Sequence, residues 1–176
     1  LYQLAPYPAK LPSGDYRFVS DWNPDQRLQA ALGWGLACYQ FSLYLKPRNE
    51  MPSLTLDEDI ADDAVQLLSA QSLVRDLINT PTEDLGPAHL ADAVRLQADE
   101  FGAHYSMVHG VDLLTENFPA IHAVGRASDR EPRLLRMEWG HEAHPLLALC
   151  GKGVCFDTGG LNLKPGPGMA IMKKDM

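Results

Sequence analysis

Residues 145–160 read Pro145-Leu146-Leu147-Ala148-Leu149-Cys150, then Gly151-Lys152-Gly153-Val154-Cys155-Phe156-Asp157-Thr158-Gly159-Gly160. The first six residues are continuously apolar, the pattern of a central strand buried on both faces. The glycines and charges that follow are what a loop at the carboxyl end of such a strand carries. Upstream, His104–Val108, Ala120–Val124 and Arg133–Trp139 are expected as further strands, the last with Leu135, Met137 and Trp139 on one side. A short helix is expected between Val111 and Asn117. Strands alternating with helices imply an α/β fold, a layered mixed sheet flanked by helices.

Further toward the N-terminus the period becomes helical. Gly86-Pro87 opens a helix with Leu90, Val94, Ala98 and Phe101 on one face and Gly102 as its stop. Before it, Asp57, Glu58 and Asp59 place negative charge on a first turn, where the helix dipole favours it. Ile60, Ala64, Leu67, Leu68, Val74, Leu77 and Ile78 supply that helix with an apolar face, which Asn79-Thr80-Pro81-Thr82 terminates. Residues 47–55 read as a polar, proline-containing connector and the boundary between residues 1–55 and residues 56–176. Ahead of it, Asn23-Pro24 starts a helix, and Leu28, Leu32, Leu36, Tyr39 and Leu43 carry one stripe to Lys46. Pro6, Pro8 and Pro12 mark an extended lead-in to a short strand around Tyr16–Val19.

Composition excludes several classes of function. The 176 residues are 45% hydrophobic and 22% charged, as in a folded globular chain. Fifteen Lys and Arg against twenty-three Asp and Glu leave a net charge of −8, which opposes non-specific binding to nucleic acid or an acidic membrane. Cys38, Cys150 and Cys155 form no Cys-x-x-Cys pair, so reduced thiols and a cytoplasmic setting are expected. The apolar run at 145–150 is far short of the roughly 18 residues of a spanning helix. The first residues lack the order of a secretory signal.

Ligands of open α/β sheets bind beyond the carboxyl ends of strands, where Lys152 and Asp157 fall. Taken singly, these residues also fit an ordinary glycine turn and solvated ion pairs. The segment lacks the Gly-x-x-x-x-Gly-Lys-[Ser/Thr] spacing of a phosphate loop. His141-Glu142-Ala143-His144 lacks the spacing of a zinc helix and reads as a turn. Cys155 has no histidine partner that would make it a nucleophile and reads as a small packing residue. Asp57, Glu58, Asp59, Asp62 and Asp63 read as a solvated helix start.

The combined spacing of Lys152, Asp157, Lys164, Met172 and Asp175 resembles the first signature of the leucyl aminopeptidase, or cytosol aminopeptidase, family. The resemblance extends through Leu77-Ile78-Asn79-Thr80-Pro81, Leu85-Gly86-Pro87 with His89-Leu90-Ala91, and Val124-Gly125-Arg126-Ala127-Ser128. It covers about residues 72–176 well and the first 50 loosely. It implies a dinuclear metallopeptidase whose catalytic domain begins in residues 56–176, after a remnant of an N-terminal domain in residues 1–55. By resemblance, Asp157 bridges two divalent cations, while Asp175 and the amine of Lys152 complete one metal site. Lysine ligates only as the neutral amine, which burial and adjacent cations favour. Lys164 stays charged, polarises the scissile carbonyl and stabilises the oxyanion. Met172 lines the pocket for a leucine-like first side chain.

The ions implied are manganese or zinc, with magnesium or cobalt also accepted by such ligands. The partners implied are peptide substrates and further copies of the chain in a homo-hexamer. No membrane or nucleic acid is expected among them. The family also carries a later Asn-Thr-Asp-Ala-Glu-Gly-Arg motif that completes the metal cage, and the sequence stops at Met176 before it. The chain is therefore expected to be part of a longer polypeptide and inactive by itself. The competing reading is a non-catalytic fragment or degenerate paralogue that serves assembly or binding.

Overall fold

The Asn23 carboxamide accepts the Gln26 amide at 2.9 Å, and the Gln26 side chain accepts the Asn23 amide at 3.1 Å. This reciprocal cap satisfies first-turn donors that have no partner inside a helix. Helix α1 accordingly begins at Pro24 and runs Pro24–Cys38. A computed structural model describes residues 4–46, 50–156, 161, 163–169 and 172. It divides the chain into two compact units, Leu1–Asn79 and Thr80–Met176.

Helix α1 stops well before Lys46. Tyr39 leaves helical geometry at φ −58°, ψ 130°, and Arg75 donates to the Leu36 carbonyl at 2.8 Å, replacing the bond another turn would have made. The Tyr39 hydroxyl donates to Asp76 at 2.7 Å, with the Arg75 guanidinium 5.1 Å from the ring centroid. Leu43, beyond this stop, is exposed. The lead-in is also less extended than its prolines suggest, because Pro8–Lys10 forms one 3-10 turn around a buried Pro8.

Strands β1 (Asp15–Arg17) and β2 (Ser53–Thr55) pair in parallel, with Tyr16 opposite Leu54. Parallel neighbours require a crossover rather than a hairpin, and α1 provides it. The connector at 47–55 thus ends in a strand, which its polar composition concealed. Helix α2 (Glu58–Asn79) follows, and its Ile60 and Ala64 pack with Ala31 of α1 into the core, flanked by Leu28, Leu54 and Leu56. A side chain on Gly35 would place its Cβ 2.5 Å from Leu68 Cδ1, so glycine permits the close approach of the two helices. The face expected to be buried along all of α2 is covered unevenly: Ile60 and Ala64 are buried, Leu68, Leu77 and Ile78 are half-buried, and Leu67 and Val74 are exposed. Leu67, Ala70 and Val74 line an open groove with Gln71 and Arg75.

In the second unit, α3 (Pro87–Phe101) ends at Gly102, whose φ of 63° is readily reached only without a side chain. Strands β3 (His104–His109) and β4 (Arg133–Glu138) form an antiparallel pair with Tyr105 opposite Met137 and Met107 opposite Leu135. Helix α4 (Asp112–Thr115) buries Leu113 completely. Trp139 lies just beyond β4, exposed, with its indole donating to the Phe101 carbonyl at 3.1 Å.

Two expected strands are absent. Ala120–Val124 belongs to helix α5 (Pro119–Gly125), because Pro119 presets the first helical turn and a five-residue apolar run fits either period. Residues 145–150 form neither helix nor strand, and Leu146, Leu147 and Leu149 are 80–89% exposed. A central strand exists only with ladder partners and covering layers, and among the described residues the β3–β4 pair does not extend to this run. A short helix α6 (Gly166–Met169) follows. Among the described residues the architecture is α/β, with helices and a two-stranded parallel sheet in the first unit, and helices and a two-stranded antiparallel sheet in the second.

Candidate functional site

The segment with the chemistry leaves the exposed run at Cys150. Lys152 is exposed, Val154 and Cys155 are half-buried, and burial pushes the Cys155 thiol upward. The thiol therefore stays protonated near neutrality, consistent with a packing rather than a nucleophilic residue. Lys164 is exposed ahead of α6, and Met172 is half-buried. Asp157 and Asp175 lie outside the described residues. Among the described residues, no three His, Cys, Asp or Glu side chains converge on a point that could hold a cation.

The donor set still suits a divalent cation in kind. Two carboxylates and one amine are oxygen and nitrogen donors of the type that manganese, zinc and magnesium accept. Of that set, the described residues contain only the Lys152 amine. His141 and His144 form a turn as expected: the Ala143 amide donates to His141 Nδ1 at 3.1 Å and the His144 amide to the His141 carbonyl at 2.9 Å.

The sequence reading passed over the contacts that hold this segment. The turn at Pro81–Leu85, closed by the Leu85 amide on the Pro81 carbonyl at 2.9 Å, carries Thr82. The Thr82 hydroxyl donates to the Cys155 carbonyl at 2.5 Å. Arg130 donates to the Thr82 carbonyl at 2.6 Å, and to the carbonyl and carboxylate of Glu83 at 3.3 Å each. Gly86 makes room for it, since a Cβ there would stand 3.1 Å from Arg130 Cδ. The Ser128 hydroxyl oxygen accepts the Arg130 amide at 3.0 Å. Two stretches quoted above for their family resemblance, around Thr80-Pro81 and around Ala127-Ser128, thus meet in space.

A family model described as "Cytosol aminopeptidase family, catalytic domain" matches residues 72–176, more than half of the sequence. The chain belongs to the cytosol aminopeptidase family. A second model, for the N-terminal domain of M17 aminopeptidases, matches residues 1–57. A probable cytosol aminopeptidase from Corynebacterium efficiens is 37% identical over 84% of this chain and 32% of its own length. Peptidase B from Pectobacterium carotovorum is 46% identical over 58% of this chain and 25% of its own. The crystal structure of cytosol aminopeptidase from Coxiella burnetii superposes with a TM-score of 0.89 at 42% identity, over 99% of this chain and 38% of that one. The bottromycin maturation enzyme BotP, solved in complex with Mn, gives a TM-score of 0.73 at 26% identity, over 94% of this chain and 38% of its own. The chain spans about a third of the length of these family members. No helix among the described residues is long and apolar enough to cross a membrane.

Proposed function

We propose that this chain supplies the opening part of a metal-dependent aminopeptidase that releases leucine-like residues from the N-termini of peptides in the cytoplasm. The observation that carries the reading is the family match over residues 72–176, which contains Lys152, Asp157, Lys164, Met172 and Asp175 in their signature spacing. Residues 1–55 are read as part of the N-terminal domain and 56–176 as the start of the catalytic domain, assembled in a homo-hexamer.

Asp157, Asp175 and Lys152 would hold two divalent ions, manganese or zinc, with magnesium or cobalt as substitutes. The ions, when bound, would supply Lewis-acid activation of water and a hold on the substrate amine. Lys164, which is exposed, would donate to the scissile carbonyl oxygen and stabilise the negative charge that develops there. Met172 offers a flexible thioether wall to the first side chain. Support for manganese comes from BotP, which was solved with Mn.

Release of leucine from a leucyl amide by the complete polypeptide, with and without added Mn2+, tests the proposal. In that polypeptide, Lys164→Ala is expected to lower turnover by about a hundredfold or more while metal content stays intact, and Asp157→Ala to lose metal as well. Equal metal loss in both variants would refute the division of roles. No metal-dependent release at all would favour a non-catalytic assembly or binding role.

A further inference from the structure

We propose that His141 and His144 form an exposed metal site, a two-imidazole chelate for a borderline divalent ion such as zinc, nickel or copper. The pair shares no residue with the family signature and stands whether or not that signature binds metal. Gly140 leaves β4 at φ 109°, a conformation that side chains rarely permit, and Pro145 restricts the exit. Between them the His144 amide donates to the His141 carbonyl at 2.9 Å, closing a turn whose first and last residues are the two histidines. The turn brings the imidazoles together, with ring centroids 5.5 Å apart and planes tilted by 47°. Both residues are exposed, so an ion in solution can reach them.

The spacing of the rings suits one shared ion. A zinc–nitrogen bond is about 2.0–2.1 Å and an imidazole nitrogen lies about 1.1 Å from its ring centre, so each centre would stand about 3.2 Å from the ion. At the tetrahedral angle two such centres are roughly 5.2 Å apart, close to the 5.5 Å between His141 and His144. The lone pair on His141 Nδ1 is available, since it accepts the Ala143 amide at 3.1 Å, and an ion would take the place of that neutral donor. No third His, Cys, Asp or Glu side chain among the described residues joins the pair. Water therefore fills the remaining positions, which makes the ion exchangeable. Imidazole nitrogen suits copper, nickel and zinc, whereas manganese and magnesium suit oxygen ligands.

Equilibrium dialysis of the complete, tag-free polypeptide against Ni2+, after saturation with Mn2+ to fill any site that accepts it, tests the proposal. Wild type is expected to hold one Ni2+ per chain that His141→Ala and His144→Ala each weaken by about tenfold or more. His104→Ala, which removes an exposed histidine outside the turn, is expected to leave that ion unchanged. Trp139, exposed and two residues before His141, gives a second readout. Bound Cu2+ should quench its fluorescence in wild type and not in the double variant His141→Ala/His144→Ala. Equal Ni2+ uptake by wild type and both single variants would overturn the proposal. Loss in only one of them would overturn it too, because a single imidazole is not a chelate. Quenching that survives the double variant would do the same.

Discussion

Arg27 in the first unit and Arg130 in the second each bind several partners, and the two grip different kinds of acceptor. In Leu1–Asn79, Arg27 donates to the Asp57 carboxylate at 2.7 Å and to Asp59 at 2.5 Å, and Arg17 adds a bond to Asp57 at 3.0 Å. In Thr80–Met176, Arg130 donates chiefly to main-chain carbonyls, and its one carboxylate partner, Glu83, is 88% exposed. Carboxylates titrate and carbonyls do not. The first grip therefore depends on pH and on salt, whereas the second depends on neither to first order. A grip on side chains stabilises a helix start; a grip on backbone fixes where the chain goes next.

Replacing Arg130 by Met is expected to have the largest effect on stability. It leaves the Thr82 and Glu83 carbonyls without a donor, and the cost is about 1–2 kcal/mol at pH 7, with little change at pH 4. Urea unfolding followed by Trp139 fluorescence reads it in the second unit. A cost that disappeared at pH 4 would mean that the Glu83 ion pair, not the carbonyls, carries the grip.

Arg27→Met should cost less, about 1 kcal/mol at pH 7 and low salt, because its partners are partly solvated carboxylates. Trp22 and Trp34 report on that unit. Half-molar sodium chloride should shrink the difference from wild type, and an effect insensitive to salt would argue that the arginine stem matters more than its charge.

The smallest effect is the pH dependence traced to Asp57. Hydrogen bonds from Arg17 and then Arg27 hold its carboxyl below the ordinary aspartate value of 3.8. A lowered folded-state value means the stabilisation is complete above 3.8 and is lost as the pH falls through that lowered value. Asp57→Asn should therefore lower the stability of the first unit at neutral pH, where the contribution is present, and flatten the profile on the acid side, with little change below that lowered value. An unaltered acid slope in the variant would remove Asp57 from the explanation.

The long helices were legible because their signals are local. Asn23-Pro24 at the start of α1, Gly86-Pro87 at the start of α3 and Gly102 at its end act within one turn, so neighbouring residues settle them. The β3–β4 pair was legible for a related reason, since its alternation is long enough to be told from a helix. Ala120–Val124 was too short for that distinction, and the proline before it prevailed. Of the candidate site, the signature residues could be named from spacing, but their support could not. Thr82, Arg130 and Cys155 are separated by 48 and 25 residues in the chain, and no local pattern announces that they meet.

By itself the sequence determined the α/β class, the positions of the helix starts, the acidic balance and the membership signalled by Lys152, Asp157, Lys164, Met172 and Asp175. Each of these rests on residue type and short-range spacing, which folding does not alter. Only the tertiary structure decided that α1 ends at Cys38, where Arg75 takes the Leu36 carbonyl, that 53–55 becomes a strand, and that the Leu146–Leu149 run stays exposed. Those outcomes depend on a partner arriving from a distant part of the chain, because a carbonyl, a strand edge or an apolar side chain is satisfied only by what lies against it.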